Sequence, residues 1–306
     1  DYILILSGDH IYDMDYRAFL DFHRASGKAA SLAVTEVPNE LCDQFGIATV
    51  DEAGRIVRFD EKPEKSESNL ASMGIYIFDR EFLIDTLVSL KKDFEDLDFG
   101  RHIMPYLVEN GLIAAYRFDG YWLDVGTLKS YYSANLALLA ARPRLDLGAG
   151  SSRVLTVPDD SPPSFISHGA SVERSMICNG CTVRGEVRGS ILSPGVVVEK
   201  GALVEDSIIF HRCVIEKGAA VKRTIMDKMA VIGRQASVGD GDRGRKNTRY
   251  PSYLDFGLTL IGRKTVVPGG TRIGTNCLVC GGAEDGRIPQ RDLPDGENVL
   301  MRELQD

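Results

Sequence analysis

Three short segments carry residue types that could do chemistry. Ser7-Gly8-Asp9-His10 directly follows a run of aliphatics. In open α/β sheets ligands bind outside the carboxyl ends of the strands, so Asp9 stands where a metal ligand is useful. Magnesium is commonly held by one or two carboxylates plus substrate phosphates, so Asp9 calls for a second acid; an Asp after a strand also reads simply as a turn former. In Asp60-Glu61-Lys62-Pro63, the proline biases Lys62 toward extended backbone, which can project the ammonium from a strand end as a point charge for a phosphate. A solvated charged turn is the plainer reading of the same four residues. In Tyr121-Trp122-Leu123-Asp124-Val125-Gly126-Thr127, Asp124 precedes a helix whose N-cap is Thr127. Asp124 could take the other side of a metal, or be a helix-start carboxylate favoured by the dipole. Cys178/Cys181 and Cys277/Cys280 are each spaced as zinc pairs, but the interval between the pairs is far longer than a zinc ribbon uses. Cysteines stacked on a repetitive coil give the same spacing without a metal. The histidines show no paired-ligand spacing, and no nucleophile motif stands out.

The elements around these segments alternate. Tyr2 to Leu6 reads as a strand buried on both faces, as inside a parallel sheet, and a chain rarely begins there, so the sequence is expected to be a fragment that has lost preceding strands. Asp15 to Ser26 predicts a helix stopped by Gly27. Strands are expected at Ala29–Val37, Gly46–Val50, Ile56–Phe59, Leu70–Phe78 and Leu112–Phe118. Helices are expected at Arg80–Leu90, Phe99–Asn110 (with Pro105 inside it) and Leu128–Ala141. This alternation implies an α/β domain over residues 1–141, a mixed or parallel sheet with helices on both faces. Residues 142–165, with four prolines and little periodicity, read as a linker.

From Ile166 onward the pattern becomes short aliphatic units separated by turns. Val198, Val204 and Phe210 are six apart, as are Ile215 and Val221; Ile261, Val267, Ile273 and Val279 make three further steps of six. That period suits neither a helix nor an alternating strand, and it predicts a parallel β-helix of hexapeptide units over 166–306. A β-sandwich with regular turns is the alternative. Residues 239–257 would be a loop thrown out from the coil. Between Arg234 and Arg272 stand eight bases (Arg234, Arg243, Arg245, Lys246, Arg249, Arg263, Lys264 and Arg272) against Asp240, Asp242 and Asp255. Elsewhere acids prevail: 36 Lys+Arg against 44 Asp+Glu give a net charge of −8 over 306 residues, which argues against nucleic-acid binding. No apolar run approaches the roughly 20 residues of a membrane span. With six Cys and no visible signal peptide the chain reads as cytoplasmic.

Taken in order, the segments resemble ADP-glucose pyrophosphorylases, the glucose-1-phosphate adenylyltransferases of glycogen and starch synthesis. The resemblance is carried by Ser7-Gly8-Asp9-His10-Ile11-Tyr12 with Met14-Asp15-Tyr16, Gln44-Phe45-Gly46, Glu61-Lys62-Pro63, Ala71-Ser72-Met73-Gly74-Ile75-Tyr76, Asp98-Phe99-Gly100, Tyr121-Trp122 and Asp124-Val125-Gly126-Thr127. It implies a Rossmann-like nucleotidyltransferase domain followed by a left-handed parallel β-helix, and the reaction of ATP with glucose 1-phosphate. By the same resemblance Asp9 and Asp124 hold Mg2+, Asp9 and Lys62 are catalytic, and Gly46, Glu61, Lys62 and Ser72 bind the sugar phosphate. A homotetramer responding to small phosphorylated effectors is also implied, and a plant-like member would sit in a plastid. The local excess of bases suggests Arg243, Arg245, Lys246 or Arg249 for that effector, a solvated loop being the plainer reading. The family's Gly-rich phosphate-cradling loop has no match here, so the chain as it stands is expected not to turn over. A sister enzyme making UDP-, dTDP- or GDP-sugars, and a non-catalytic regulatory subunit, remain as alternatives.

Overall fold

The computed structural model describes residues 1–145, 147, 156–157, 159–282 and 285–301, so much of the expected linker (146, 148–155 and 158) and the C-terminal 302–306 lie outside the described residues. The chain divides into two units, Asp1–Asp124 and Val125–Asp306. Among the described residues no helix is long and apolar enough to cross a membrane.

The first unit is built on β1 (Tyr2–Ile5), β2 (His10–Tyr12), α1 (Tyr16–Ser26), β3 (Ala30–Glu36), β4 (Gly46–Val50), β5 (Ile56–Glu61), β6 (Leu70–Asp79), α2 (Arg80–Leu90), α3 (Met104–Glu109), β7 (Ile113–Arg117) and β8 (Trp122–Asp124). The main sheet runs β5-β4-β6-β3-β7 with β1 on β6. It is mixed: β3 and β7 are parallel, while β3–β6, β4–β5 and β1–β6 are antiparallel. Helices cover both faces. On one, Phe19 of α1 packs on Ala33, Met73, Ile75 and Ile77; on the other, Leu83, Ile103, Met104 and Leu107 pack on Leu32, Val34, Tyr76 and Phe78. Both α1 termini follow from local chemistry: the Asp15 carboxylate accepts the Arg17 N–H at the start, and Gly27 takes a left-handed φ of 59° at the end.

Three expectations are corrected. Tyr2–Ile5 is not buried on both faces. Ile3 and Ile5 pack into the core, but Tyr2 and Leu4, on the opposite face of the strand, are exposed at 42% and 39%. Phe99–Asn110 is not one α-helix: a π-helical turn, Phe99–Ile103, precedes α3, and Pro105 falls in the first turn of α3, where its missing N–H costs nothing. Lys62 is not extended: its φ is +48°. Its N–H donates to the Phe45 carbonyl (3.1 Å), which continues the β4–β5 pairing by one residue and holds Lys62 in a conformation that Pro63 disfavours.

In the second unit α4 (Leu128–Ala137) starts at Thr127, whose hydroxyl and Ser130 form a capping box; Tyr132 of α4 packs with Ile208, Ile225 and Leu258. The hexapeptide region is a parallel β-helix of three sheets. Glu186 pairs with Leu203, Leu203 with Ala220 and Ala220 with Ser237, so that 203 − 186, 220 − 203 and 237 − 220 all give a coil of 17 residues. A coil of 17 is two steps of six and one of five. The step of five explains a further correction: Ile209, not Phe210, points into the coil, and Phe210 packs outside it beside Tyr132. Val183, Val198, Val204, Ile215, Val221, Ile232, Ile261, Val267 and Val279 fill the interior. The cysteines are part of this stacking. Cys181 and Cys277 are buried, donate to the carbonyls of Ser193 and Pro294, and burial raises the Cys277 thiol to about 11.

Residues 239–257 leave the coil between the strands at Ser237–Val238 and Thr259–Ile261; most of them are exposed, but a few buried residues tie the loop down. The buried Asn247 side chain donates to the Asn276 carbonyl and to Asn298 Oδ1, and accepts from the amides of Arg249 and Tyr250. Asn276 donates to the carbonyls of Arg243 and Arg245 in turn.

Candidate functional site

Strand β2 has no hydrophobic period to announce it; it exists because it pairs with β8. The register sets His10 opposite Asp124 and Tyr12 opposite Trp122, so two segments more than a hundred residues apart in sequence become neighbours. His10 is the pivot. Its Nδ1 lies 2.7 Å from the carbonyl of Met73 on β6, an acceptor, and 3.3 Å from the Trp122 indole N–H, a donor, so this nitrogen is committed to the protein. The other ring nitrogen, Nε2, then faces both expected metal ligands, 3.7 Å from Asp9 Oδ1 and 4.0 Å from Asp124 Oδ2. Trp122 stands edge-on to the imidazole (5.2 Å between centroids) and packs against Phe45, next to Gly46.

Asp9 is held as a carboxylate. The Ser7 hydroxyl donates to Oδ1 at 2.7 Å and keeps the carboxyl below its ordinary range, with His10 adding in the same direction. Its side chain is 60% exposed, open to a ligand from solvent. Two carboxylates beside one imidazole are a hard-oxygen set that suits magnesium, which takes one or two protein carboxylates and completes its shell with water and phosphate. No group of three or more His, Cys, Asp and Glu placed to hold a metal occurs among the described residues, so Asp9 and Asp124 would need water and phosphate to complete a shell.

The residues expected to bind the sugar phosphate lie on β4, at the end of β5 and on β6. Gly46 and Glu61 are cross-strand partners, and Lys62 follows with its unusual φ. A non-glycine residue in the left-handed region costs of order 1–3 kcal/mol and persists only where its surroundings impose it. Ser72 lies on β6, where its hydroxyl accepts the N–H of Gly74 at 3.2 Å. Tyr76, two residues beyond Gly74 on the same strand, is buried with its phenol raised above the ordinary value, chiefly by burial. Its ring meets Phe99 of the π-helical turn at 5.4 Å. That turn brings in residues not singled out for a role from the sequence: Asp98, whose carboxylate accepts the Arg101 N–H, and Gly100, which lies against the Glu61 carboxylate. The Asp98-Phe99-Gly100 motif was the signal available for them. His10 and Trp122 were visible only as members of motifs.

Arg243, Arg245, Lys246 and Arg249 belong to the second unit. Arg245 reaches Glu297 (3.9 Å) and Lys246 reaches Asp255 (3.5 Å), while the Arg249 guanidinium lies over the Tyr250 ring.

Comparison with known proteins agrees with both halves of the architecture. Residues 1–141 match the nucleotidyl transferase family, and residues 162–261 match the GlmU-like, C-terminal hexapeptide family. Over 97% of its length the chain is 46% identical to the glucose-1-phosphate adenylyltransferase of Thermomicrobium roseum, of which it covers 70%. It is 36% identical over 98% of its length to the enzyme of that name from Acetivibrio thermocellus, covering 70%, and 41% identical over 98% to that of Lachnospira eligens, covering 71%.

Proposed function

The chain belongs to the glucose-1-phosphate adenylyltransferase family, and from that premise we propose that its site joins glucose 1-phosphate to the adenylyl group of ATP, giving ADP-glucose and diphosphate. The observation that carries the reading is the meeting of Asp9 and Asp124 at one imidazole nitrogen, on the strand pair whose Trp122 packs beside the Gly46–Glu61–Lys62 corner. A phosphate oxygen of the sugar attacks the α-phosphorus of ATP; the bond to the β-phosphate oxygen breaks and diphosphate leaves. No covalent enzyme nucleophile is needed, so the protein's work is alignment and charge neutralisation. Lys62 neutralises the sugar phosphate. Glu61 and Ser72 accept or donate to the sugar, and Gly46 leaves room beside them. Asp9 and Asp124 would hold magnesium, which supplies charge neutralisation at the nucleotide phosphates when bound. Residues 1–141 act as the catalytic segment and 166–306 as the hexapeptide-repeat segment, in a cytoplasmic homotetramer serving glycogen synthesis.

The reading is tested in the complete gene product, by offering ATP, UTP, dTTP and GTP with glucose 1-phosphate and Mg2+, and by following glucose 1-phosphate binding through the fluorescence of Trp122, the single tryptophan of this chain. ADP-glucose as the favoured product and a saturable Trp122 response are expected. A preference for another nucleotide, or no response to the sugar phosphate, overturns it.

Regulation by a small phosphorylated effector is assigned to Arg243, Arg245, Lys246 and Arg249 at a subunit contact, since these bases stand in an otherwise acidic chain. One observation favours a second placement. A cavity of about 220 Å³ is lined by Asp159, Ser161, Pro194, His211, Arg212, Lys228 and Met229. Arg245 and Lys246 are already spent on Glu297 and Asp255, whereas this cavity gathers two cations and an imidazole around one carboxylate. Replacing the loop quartet by Ala and, separately, Arg212 and Lys228 by Ala decides between them: the set whose loss abolishes the response to sugar phosphates holds the effector.

A further inference from the structure

We infer that Gly100 is a positioning residue for Glu61: it is glycine because the Glu61 carboxylate occupies the space in which a side chain would begin. The inference rests on the reading of Glu61 as a sugar-phosphate contact and goes one step beyond it, to what holds that carboxylate in place.

Backbone freedom does not account for a glycine here. Gly100 lies inside the π-helical turn Phe99–Ile103 and outside the left-handed region, so any L-residue could adopt its conformation. Space accounts for it. A Cβ on Gly100 would stand 2.6 Å from Glu61 Oε2 and 3.1 Å from Glu61 Cδ, with Asp98 Oδ1 at 3.4 Å. The same Oε2 is flanked from β4, where a Cβ on Gly46 would lie 2.9 Å away. One carboxylate oxygen is thus seated between two glycines from separate elements.

The turn that carries Gly100 is tied down. The Asp98 carbonyl accepts from the amides of His102 (3.0 Å) and Ile103 (3.3 Å), the Asp98 carboxylate accepts from Arg101 N–H (2.8 Å), and Ile103 is fully buried. The backbone is therefore the firm partner and the Glu61 side chain the one that yields. Gly46 is a less clean position, because a Cβ there would also meet the Phe59 ring at 2.4 Å. At Gly100 the three nearest atoms all belong to carboxylates, those of Glu61 and Asp98. A methyl group added there leaves the fold intact and displaces the oxygen that reads the ligand.

The test is Gly100→Ala in the full chain, with glucose 1-phosphate titrated against Trp122 fluorescence and thermal unfolding followed in parallel. The expected result is about a ten- to hundredfold loss of affinity with an unchanged Tm. Partial recovery is expected in Gly100→Ala/Glu61→Asp, whose shorter side chain withdraws the carboxylate from the new methyl. Unchanged affinity in Gly100→Ala overturns the inference, as does equal loss in the single and double variants. If Gly100→Ala fails to fold, Gly100→Ala/Glu61→Ala should recover the Tm of Glu61→Ala; failure to do so places the obstruction elsewhere. Should the unmodified chain show no response to glucose 1-phosphate, the sugar-phosphate reading falls. A crystal structure of Gly100→Ala then decides the positioning role, a displaced Glu61 carboxylate supporting it and an unmoved one refuting it.

Discussion

Left-handed backbone at non-glycine residues occurs in both units, and it means different things in each. In the first unit Lys62 alone, among the described residues, has this conformation. In the β-helix it recurs at coil corners: Arg212, Met229 and Lys264 stand one coil apart, each amide donating to a carbonyl of the coil before it, that of Pro194, His211 or Lys228. Repetition with a hydrogen-bond ladder marks architecture, because every coil must turn at the same place. A single case at a charged residue, with one bond to Phe45, fits the role proposed for Lys62 rather than a repeating architecture. Hydroxyls divide the same way. Ser190, Ser207 and Thr224 are buried, and each donates to the carbonyl two residues back; the Ser190 and Ser207 oxygens also accept the amide of the next coil. Ser7 instead spends its hydroxyl on the carboxylate of Asp9, which faces solvent.

If that division holds, substitutions in the first unit should cost function and those in the coil should cost stability. In the complete gene product the largest effect is expected at Asp9→Asn, which keeps the shape but removes one of the two charges proposed to hold the metal. Its kcat for ADP-glucose formation should fall by roughly a hundredfold or more with KM little changed, alongside weaker Mn2+ binding in electron paramagnetic resonance titrations. A KM effect without a kcat effect would move Asp9 out of the reacting centre. Next comes Ile215→Ala, a fully buried coil position, which should lose about 2–5 kcal/mol in denaturant unfolding. A loss below about 1 kcal/mol would mean that the coil interior is not packed as described.

Lys62→Ala should weaken glucose 1-phosphate binding ten- to hundredfold, the equivalent of losing a charged hydrogen bond of about 1.5–3 kcal/mol, while the KM for ATP stays put. Equal changes for both substrates would take Lys62 off the sugar phosphate. The smallest effect concerns pH. His23 is buried in the first unit, with Nδ1 at 2.9 Å from the Ser31 hydroxyl and Nε2 at 3.5 Å from Asp79, and burial lowers its pKa below the ordinary 6.5 despite that carboxylate. Below pH 6.5 the unfolded chain takes up a proton that the folded state resists. Stability is therefore full above that pH and falls beneath it, by at most about 1.4 kcal/mol per pH unit. His23→Gln should flatten that slope in unfolding curves taken from pH 7.5 to 5; an unaltered slope would assign the acid sensitivity to other groups.

The helices and most strands of the first unit were legible because apolar period, Asp15 and Gly27 caps, and β-branched runs are local signals. The π-helical turn was not, since its Asp98–Ile103 hydrogen bond is a choice the backbone makes against the core formed by Ile103 and Met104. The 17-residue coil was read as steps of six because two of every three steps are six. The step of five shows only when Ile209 and Phe210 compete for the interior and one must face out.

By itself the amino-acid sequence determined the two kinds of architecture, the approximate places of most strands and helices, and which charged and glycine residues stand in motifs. These depend on neighbours within a few positions, where propensity, capping and period act. Tertiary structure alone decided that Asp9 and Asp124 share His10, that Lys62 turns against its proline, and that Gly100 lies beside Glu61. Each of those depends on pairing between segments distant in the chain, and such pairing is selected by packing of the whole sheet rather than by any local residue preference.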